Sequence, residues 1–437
     1  MQKILFVIFD GLGDRPIKKF NGQTPLEAAH TPTLDKLAGD GICGVMNAMP
    51  TSLYPTSEEA HLAIFGYDFV KDYPGRGVLE ALGIGIKLKP DEMAFRIDFG
   101  TVDEHLKLTD PRAGVISSVK DLAKACNNIE VDGITFKIYP SLLYRGVLVL
   151  SGMPVKNYLR KVKNAAISDT DPHKSGPHKI GVRVLHPKPF GNTKEGKTVA
   201  RALERYQYLT HEILNEHKIN KKRVKRGLPP ANFILARGEG RLKPVQSFKD
   251  KYGLRAACVA GAPLYKGIAG YLGMKVLNVR GATGTLNTNV GAKVKASIKA
   301  LKKNDFVFLH FKGTDMAAEE LGDPELKKKF IEKADKAMKQ LLDLKNVMIV
   351  VTGDHSTPCE LKDHSTDPVP ILINNQFLIS NSQSISNGQN TKFKFGESEC
   401  GKGSLGHIYG KDVMRIILSQ NANLKIQNES LKLKIGH

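Results

Sequence analysis

A doubly wound, mostly parallel α/β sheet interrupted by an inserted α+β domain is the fold the sequence predicts. Short apolar runs end repeatedly in Gly, Asp or His, helix-like segments lie between them, and the central part of the chain differs in composition from both flanks. Strands alternating with helices define the doubly wound class.

The opening stretch ILFVIFDGLGD is an apolar run closed by Asp10 and glycines. A central parallel strand looks like this when its C-terminal end delivers a functional carboxylate. TPLEAAHTPTLDKLAGDGICG then predicts a helix with Leu34 and Leu37 on one face, stopped by glycines. Further strands are predicted in LRAACVAG, KVLNVRG, DFVFLHFKGTD, NVMIVVTGDHS and DPVPILIN, with a helix from Pro324 to Leu344. From about Lys71 to Leu242 the chain has more basic residues, Pro and Gly. Its candidate strands are MAFRIDFGTV, ITFKIYPS, YRGVLVLSG and KIGVRVLHP, with a helix from about Lys197 to Lys218. The outer domain is therefore expected to be discontinuous, residues 1–70 joined to 243–437, with 71–242 inserted. The segment after Asn421 is polar and weakly patterned.

A chain of 437 residues is too long for one compact core, and 41% hydrophobic with 25% charged residues is an ordinary globular balance. The five cysteines are scattered and never in a C-x-x-C pair, which argues against a disulfide framework or a thiolate zinc site and fits a reducing, cytoplasmic setting. No run approaches the ~18 apolar residues of a membrane helix. The N-terminal run Ile4 to Phe9 is too short for a signal sequence and reads as a buried strand. Net charge is +21, and between Ser151 and Asp250 there are 22 Lys or Arg against 8 Asp or Glu, a net +14. Such an excess speaks for anionic ligands and says nothing about fold. The densest basic run, Lys218 to Arg226, lacks the interleaved aromatics on which single-stranded nucleic acids stack, so a solvated or phosphate-attracting face is expected and no nucleic-acid partner.

Four segments of the outer domain carry hard or borderline metal ligands: Asp10; the loop Thr56 to Glu59; Asp315 with Glu319; and Asp354-His355 followed by His364. Oxygen and imidazole ligands without thiolates suit Mg²⁺, Mn²⁺ or a related divalent ion, Zn²⁺ or Co²⁺ included. Each piece alone also fits a turn or a helix cap; together, at the ends of predicted parallel strands, they have the composition of a two-metal phosphoryl-transfer site. Ser57 is the candidate nucleophile. No Ser-His-Asp pattern or G-x-S-x-G elbow accompanies it, so metal activation is the coherent option. Ser57 equally fits the cap of a helix beginning at Glu58. No P-loop or dinucleotide fingerprint is present, and no nucleotide cofactor is expected.

VIFDGLGDRP, TPLEAAHTPTLDKLAGDG, SEEAHLAIFGYD, GRGVLEALGIGI, FRIDFGTVDE, TDPHK, GLPPANFILARGEG, RGATG, HFKGTD, TGDHSTP, HSTDPVPILI and ECGKGSLGHIYGKDVM follow one another over nearly the whole chain. In this order they resemble archaeal-type cofactor-independent phosphoglycerate mutases of the alkaline phosphatase superfamily. The resemblance implies an alkaline phosphatase-like sheet and interconversion of 3- and 2-phosphoglycerate through a phosphoserine at Ser57, without bisphosphoglycerate. It implies one ion held by Asp10, Ser57, Asp354 and His355, and another by Asp315, His364 and the residue four after Asp315. That residue is Glu319, where the family usually has His in D-E-A-G-H. At Asp110-Pro111-Arg112-Ala113-Gly114 the family more often reads D-R-R-A-G-R, so one arginine of an anion clamp is missing.

A phosphoglycerate is a small multiply charged anion that needs cationic partners, and the candidates are Arg112, Arg237 and Lys266. Asp171 and His173 of TDPHK are candidates for proton transfer between the glycerate hydroxyls. The two domains are expected to close on the substrate and exclude water, and the sequence is compatible with a homo-oligomer. The alternative readings are a metal-dependent phosphatase or phosphotransferase acting on another small substrate, and an inactive homologue whose basic middle domain binds polyanions.

Overall fold

A computed structural model describes residues 2–162, 166–172, 180–375 and 393–420. Fourteen strands occur among them, in chain order β1 (Lys3–Phe9), β2 (Ile42–Asn47), β3 (Met93–Val102), β4 (Leu108–Asp110), β5 (Ile129–Val131), β6 (Ile134–Pro140), β7 (Arg145–Ser151), β8 (Phe233–Arg241), β9 (Ala256–Val259), β10 (Lys275–Val276), β11 (Phe306–Phe311), β12 (Val347–Gly353), β13 (Val369–Asn375) and β14 (Gly406–Tyr409). The chain divides into two compact units, one of residues Met1–Tyr73 with Val245–His437, the other Pro74–Pro244.

The first unit is an eight-stranded sheet in the order β10-β9-β11-β1-β12-β13-β2-β14. β10, β9, β11, β1 and β12 run parallel, β13 runs antiparallel to both of its neighbours, and β14 is parallel to β2. β1 lies between β11 and β12 and is covered on both faces, which is why its sequence is a continuous apolar run. Leu5, Val7 and Phe9 pack with Leu34, Leu37, Val294 and Ile331. On the other face Phe6 meets Phe65 and Phe306 at centroid distances of 6.0 and 5.9 Å. Each such side chain contributes about 1.5–3 kcal/mol on burial.

Strand direction fixes where the chemistry collects. β1, β2, β11 and β12 deliver their C-terminal ends to one edge of the sheet. The reversal of β13 brings its N-terminal end, and the loop leading into it from His364, to the same edge. KVLNVRG shortens to the two residues of β10, an edge strand followed by the turn at Gly281. The helix predicted from Pro324 to Leu344 is α-helical from Pro324 to Met338 and tightens into a 3₁₀ turn, Lys339–Asp343.

The second unit is an antiparallel sheet in the order β4-β3-β7-β6-β5, with β8 on the other side of β3. All ten residues of β3 are buried. Phe95, Ile97 and Phe99 join the core that includes Tyr206 of the helix Lys194–Glu216, which stacks on Phe136 at 4.2 Å. The period-two alternation of a strand puts Arg96 and Asp98 on the opposite face. The helix begins three residues before the predicted Lys197 because Thr193 caps it, accepting from the Gly196 amide. The strand expected in KIGVRVLHP does not form as a regular strand over its described residues 180–187, which pair with Leu106–Leu108 through an isolated bridge from Arg183 to Lys107 and a few backbone hydrogen bonds. Gly181 at φ +85° and Pro187 flank the stretch and stop a ladder from extending.

Candidate active site

The edge shared by β1, β2, β11, β12 and the start of β13 gathers the ligand-bearing residues of the first unit. Asp10 follows β1, Asp315 lies four residues after β11, Asp354 and His355 follow β12, and His364 precedes β13. The helix Ser57–Ile64 follows the loop after β2, and Thr56 rather than Ser57 is its cap, accepting from the Glu59 amide. Ser57 is thereby the first helical residue, buried, with its Oγ 3.1 Å from His355 Nε2. First-turn amides of a helix have no partner within it, so a serine at this position sits at an intrinsic anion site.

The three aspartates share a pattern: one carboxylate oxygen is anchored by the protein while the other faces an imidazole. Asp10 Oδ2 accepts from the Tyr265 hydroxyl and from Lys312 Nζ at 3.1 Å; its Oδ1 has no hydrogen-bond partner among the described residues and lies 3.6 Å from His355 Nε2. Asp354 Oδ1 accepts from the amides of Gly11 and His355 at 2.9 and 3.0 Å; its Oδ2 is unpartnered, 3.4 Å from His355 Nε2. Asp315 Oδ2 accepts from Lys312 at 2.6 Å, and its Oδ1 lies 3.6 Å from His364 Nε2. Lys312 thus bridges Asp10 and Asp315 through their far oxygens.

The imidazoles are oriented as metal ligands require. His364 Nδ1 lies 2.8 Å from the Pro55 carbonyl, which only accepts, so Nδ1 carries a proton and Nε2, facing Asp315, is the nitrogen that a cation would take in place of its proton. His355 Nδ1 lies 3.1 Å from Thr357 Oγ1, whose proton goes to Asp315 Oδ1, also at 3.1 Å. That chain puts the hydrogen on Nδ1 and frees Nε2. The two rings stack at 3.7 Å. Two sets result, each able to converge on one cation: Asp10, Asp354 and His355; and Asp315, His355 and His364.

Charge tells the same story. Burial raises Asp10 to about 6 against the pull of Lys312, and burial followed by the Asp10 charge holds Asp354 well above the carboxylate range. Burial opposes a charge on His364, yet Asp315 and then Glu319 lift it to about 10. Three carboxylates are buried together, only Asp10 and Asp315 of them paired with Lys312, and the unfilled oxygens of Asp10 and Asp354 beside His355 Nε2 fit a divalent ion.

Glu319 stands outside both sets. It lies in a π-helical turn, Met316–Glu320, half-buried, with its charge reaching His364, Tyr54 and Lys312. Lys266 is half-buried on the helix Pro263–Tyr271, but the hydroxyl that reaches Asp10 belongs to its neighbour Tyr265. Tyr265, Lys312, Thr357 and the buried pair His61 and His310 were not singled out from the sequence. Lys312 and Thr357 lie inside the motifs HFKGTD and TGDHSTP, and that position was the available signal.

In the second unit, Arg237 Nη2 lies 3.3 Å from Asp98 Oδ2 and its Nε 3.7 Å from Asp171 Oδ2. Arg96, paired with Arg237 across β3 and β8, also binds Asp98 at 3.1 Å. Burial, then Arg237, lowers Arg96 to about 10, while Asp98 is held at about 2 by Arg96, Arg237 and Arg145 against its own burial. Among the described residues the Nε atoms of Arg96 and Arg237 have no hydrogen-bond partner. Arg112 is half-buried in a turn pinned by Asp110, which accepts from the Arg112 and Gly114 amides at 2.8 and 2.7 Å. His173 lies outside the described residues.

An α/β sheet whose strand ends carry two carboxylate–imidazole sets beside a serine at a helix start defines a metalloenzyme, and the sequence matches the Metalloenzyme superfamily over residues 2–420. It is 43% identical over 421 residues to the 2,3-bisphosphoglycerate-independent phosphoglycerate mutase 1 of Methanocaldococcus jannaschii, covering 95% of this chain and 96% of that one. The structure matches the PH0037 protein of Pyrococcus horikoshii with a TM-score of 0.77 and 36% identity, over 96% and 97% of the two chains. It also matches the cofactor-independent phosphoglycerate mutase of Thermoplasma acidophilum with a TM-score of 0.63 and 30% identity, over 96% and 100%. This chain belongs to the archaeal family of 2,3-bisphosphoglycerate-independent phosphoglycerate mutases. Among the described residues no helix is long and apolar enough to cross a membrane.

Proposed function

We propose that this enzyme interconverts 3-phosphoglycerate and 2-phosphoglycerate through a phosphoserine at Ser57, in a cytoplasmic glycolytic or gluconeogenic setting. The observation that carries the reading is the 3.1 Å approach of Ser57 Oγ to His355 Nε2, the imidazole common to both ligand sets. Asp10, Asp354, His355 and Ser57 would hold one divalent ion; Asp315 and His364, with Glu319 as third ligand, would hold the other. Mn²⁺ or Mg²⁺ suits this oxygen-rich set. Such ions, when bound, favour the ionised serine and neutralise phosphoryl oxygens.

Ser57 Oγ forms the new bond to phosphorus as the substrate's ester P–O bond breaks, and the released glycerate hydroxyl keeps the proton that Ser57 gives up. Return of the group to the other hydroxyl restores Ser57. First-turn amides of the Ser57–Ile64 helix, without partners inside it, favour charge on the phosphoryl oxygens. Arg237 and Arg112 supply cations for the substrate's carboxylate and phosphate, as does Lys266. Asp171, held beside Arg237, and His173 move protons between the glycerate hydroxyls.

The test is 2-phosphoglycerate formation coupled to enolase, with 3-phosphoglycerate, added Mn²⁺ or Mg²⁺ and no bisphosphoglycerate. Activity lost with EDTA and in Ser57→Ala supports the reading. Release of free phosphate in place of 2-phosphoglycerate would make the protein a phosphatase instead.

A further inference from the structure

Lys327 is a fully buried lysine on the helix Pro324–Met338, and the chemistry described above does not use it. Buried lysines are rare unless paired, because the ammonium must leave water. Here all three donor positions are filled: Nζ lies 2.8 Å from Gly13 O, 2.9 Å from Asp14 Oδ2 and 2.9 Å from Thr357 O. The three acceptors come from the two loops that carry Asp10, Asp354 and His355.

Asp14 extends the connection. Its carboxylate also accepts from the Cys359 amide at 3.2 Å and from the Arg15 amide at 2.8 Å, and its own amide donates to Glu397 Oε1 at 3.2 Å. Gly13 O accepts from the Thr357 amide at 3.0 Å. The loops therefore meet at Thr357, the residue whose hydroxyl orients His355 and touches Asp315. Their fit is close: Gly11 has φ +61°, and a Cβ there would lie 2.4 Å from Thr357 Oγ1.

We infer that Lys327 and Asp14 form a positioning pair that holds the Asp10 and Asp354–Thr357 loops in the register both metal-ligand sets require. The inference rests on the two-ion reading of the site. Lys327 touches no ligand itself; it acts through Thr357. A buried ion pair of this kind gives little net stability compared with apolar packing, so its effect is expected in the geometry of the site.

Calorimetric titration of metal-stripped wild type, Lys327→Met and Asp14→Asn with Mn²⁺ tests this, alongside thermal melting and the d–d absorption of Co²⁺-loaded protein. Loss of an outer partner typically weakens metal affinity about 10–100-fold. The expected result is a loss of that size in folded variants, with a changed Co²⁺ spectrum. Folded Lys327→Met with wild-type affinity and spectrum would overturn the inference. If Lys327→Met does not fold, Asp14→Asn, which keeps the ammonium on its two carbonyls, decides in the same way. Failure of both to fold would also overturn it, by making the pair a requirement of the fold. Wild type that takes up no Mn²⁺ or Co²⁺ would overturn the two-ion reading, and the inference with it.

Discussion

The hydroxyl of Thr357 lies 3.1 Å from Nδ1 of His355, and both residues are buried. Because the same oxygen lies 3.1 Å from Asp315 Oδ1, a carboxylate that can only accept, the hydroxyl proton points to Asp315 and its lone pair to the imidazole N–H. One side chain sets the tautomer of a residue common to both ligand sets. Thr357→Val keeps the shape, removes the hydroxyl and leaves Nδ1 without its acceptor. It is expected to weaken Mn²⁺ binding about 10–100-fold with the fold intact. Titration calorimetry on the folded variant measures this, and an unchanged affinity would show that His355 needs no such partner.

Glu319, at the position where the family resemblance implies His, lies in a π-helical turn that starts directly after Asp315. A carboxylate favours harder ions than an imidazole does. Glu319→His is expected to shift the preference between Mn²⁺ and Zn²⁺ towards Zn²⁺ by roughly tenfold. Competition titration with the two ions reads the ratio. The same ratio in wild type and variant would place Glu319 outside the coordination.

Most of the candidate metal ligands were legible in the sequence because they follow or precede a buried strand within a few residues, and parallel strands bring such ends to one edge. Asp10, Asp315 and Asp354 could be read in that way. His364 could be named but not placed, since it reaches the edge only because β13 runs antiparallel to β12, a direction that DPVPILI does not encode locally. Tyr265 and Lys327 were invisible for a different reason. Each acts through a contact made by folding, Tyr265 with Asp10 being 255 residues away in sequence. KIGVRVLHP is a candidate strand in the sequence, yet glycine and proline at its flanks limit it to one isolated bridge and a few backbone bonds.

Arg237 meets Asp98 and Asp171, and among the described residues its Nε and that of Arg96 make no hydrogen bond. Removing it is expected to raise KM for phosphoglycerate about tenfold or more, with a smaller effect on kcat, as befits a charge-assisted contact to a bound anion. Steady-state kinetics of Arg237→Ala would show it. An equal fall in kcat and kcat/KM would instead tie Arg237 to the transition state alone.

Glu239 on β8 gives a pH dependence whose sign follows from burial. Its residue is only 6% exposed, and burial raises the carboxyl from 4.5 to about 7, opposed by hydrogen bonds from the Ala166 and Ile167 amides. An acid whose pKa is higher in the folded chain binds its proton more tightly there. Its contribution to stability is therefore complete below about pH 4.5 and declines as pH rises to about 7, where the folded chain must carry a buried charge. Glu239→Gln is neutral throughout and keeps an oxygen to accept from Ala166. Relative to wild type the variant should gain on the order of 3 kcal/mol between pH 4.5 and pH 8. Denaturant titrations of both proteins at the two pH values test this. A stability difference of the same size at both would mean that Glu239 keeps its ordinary pKa, its two amide donors compensating fully for burial.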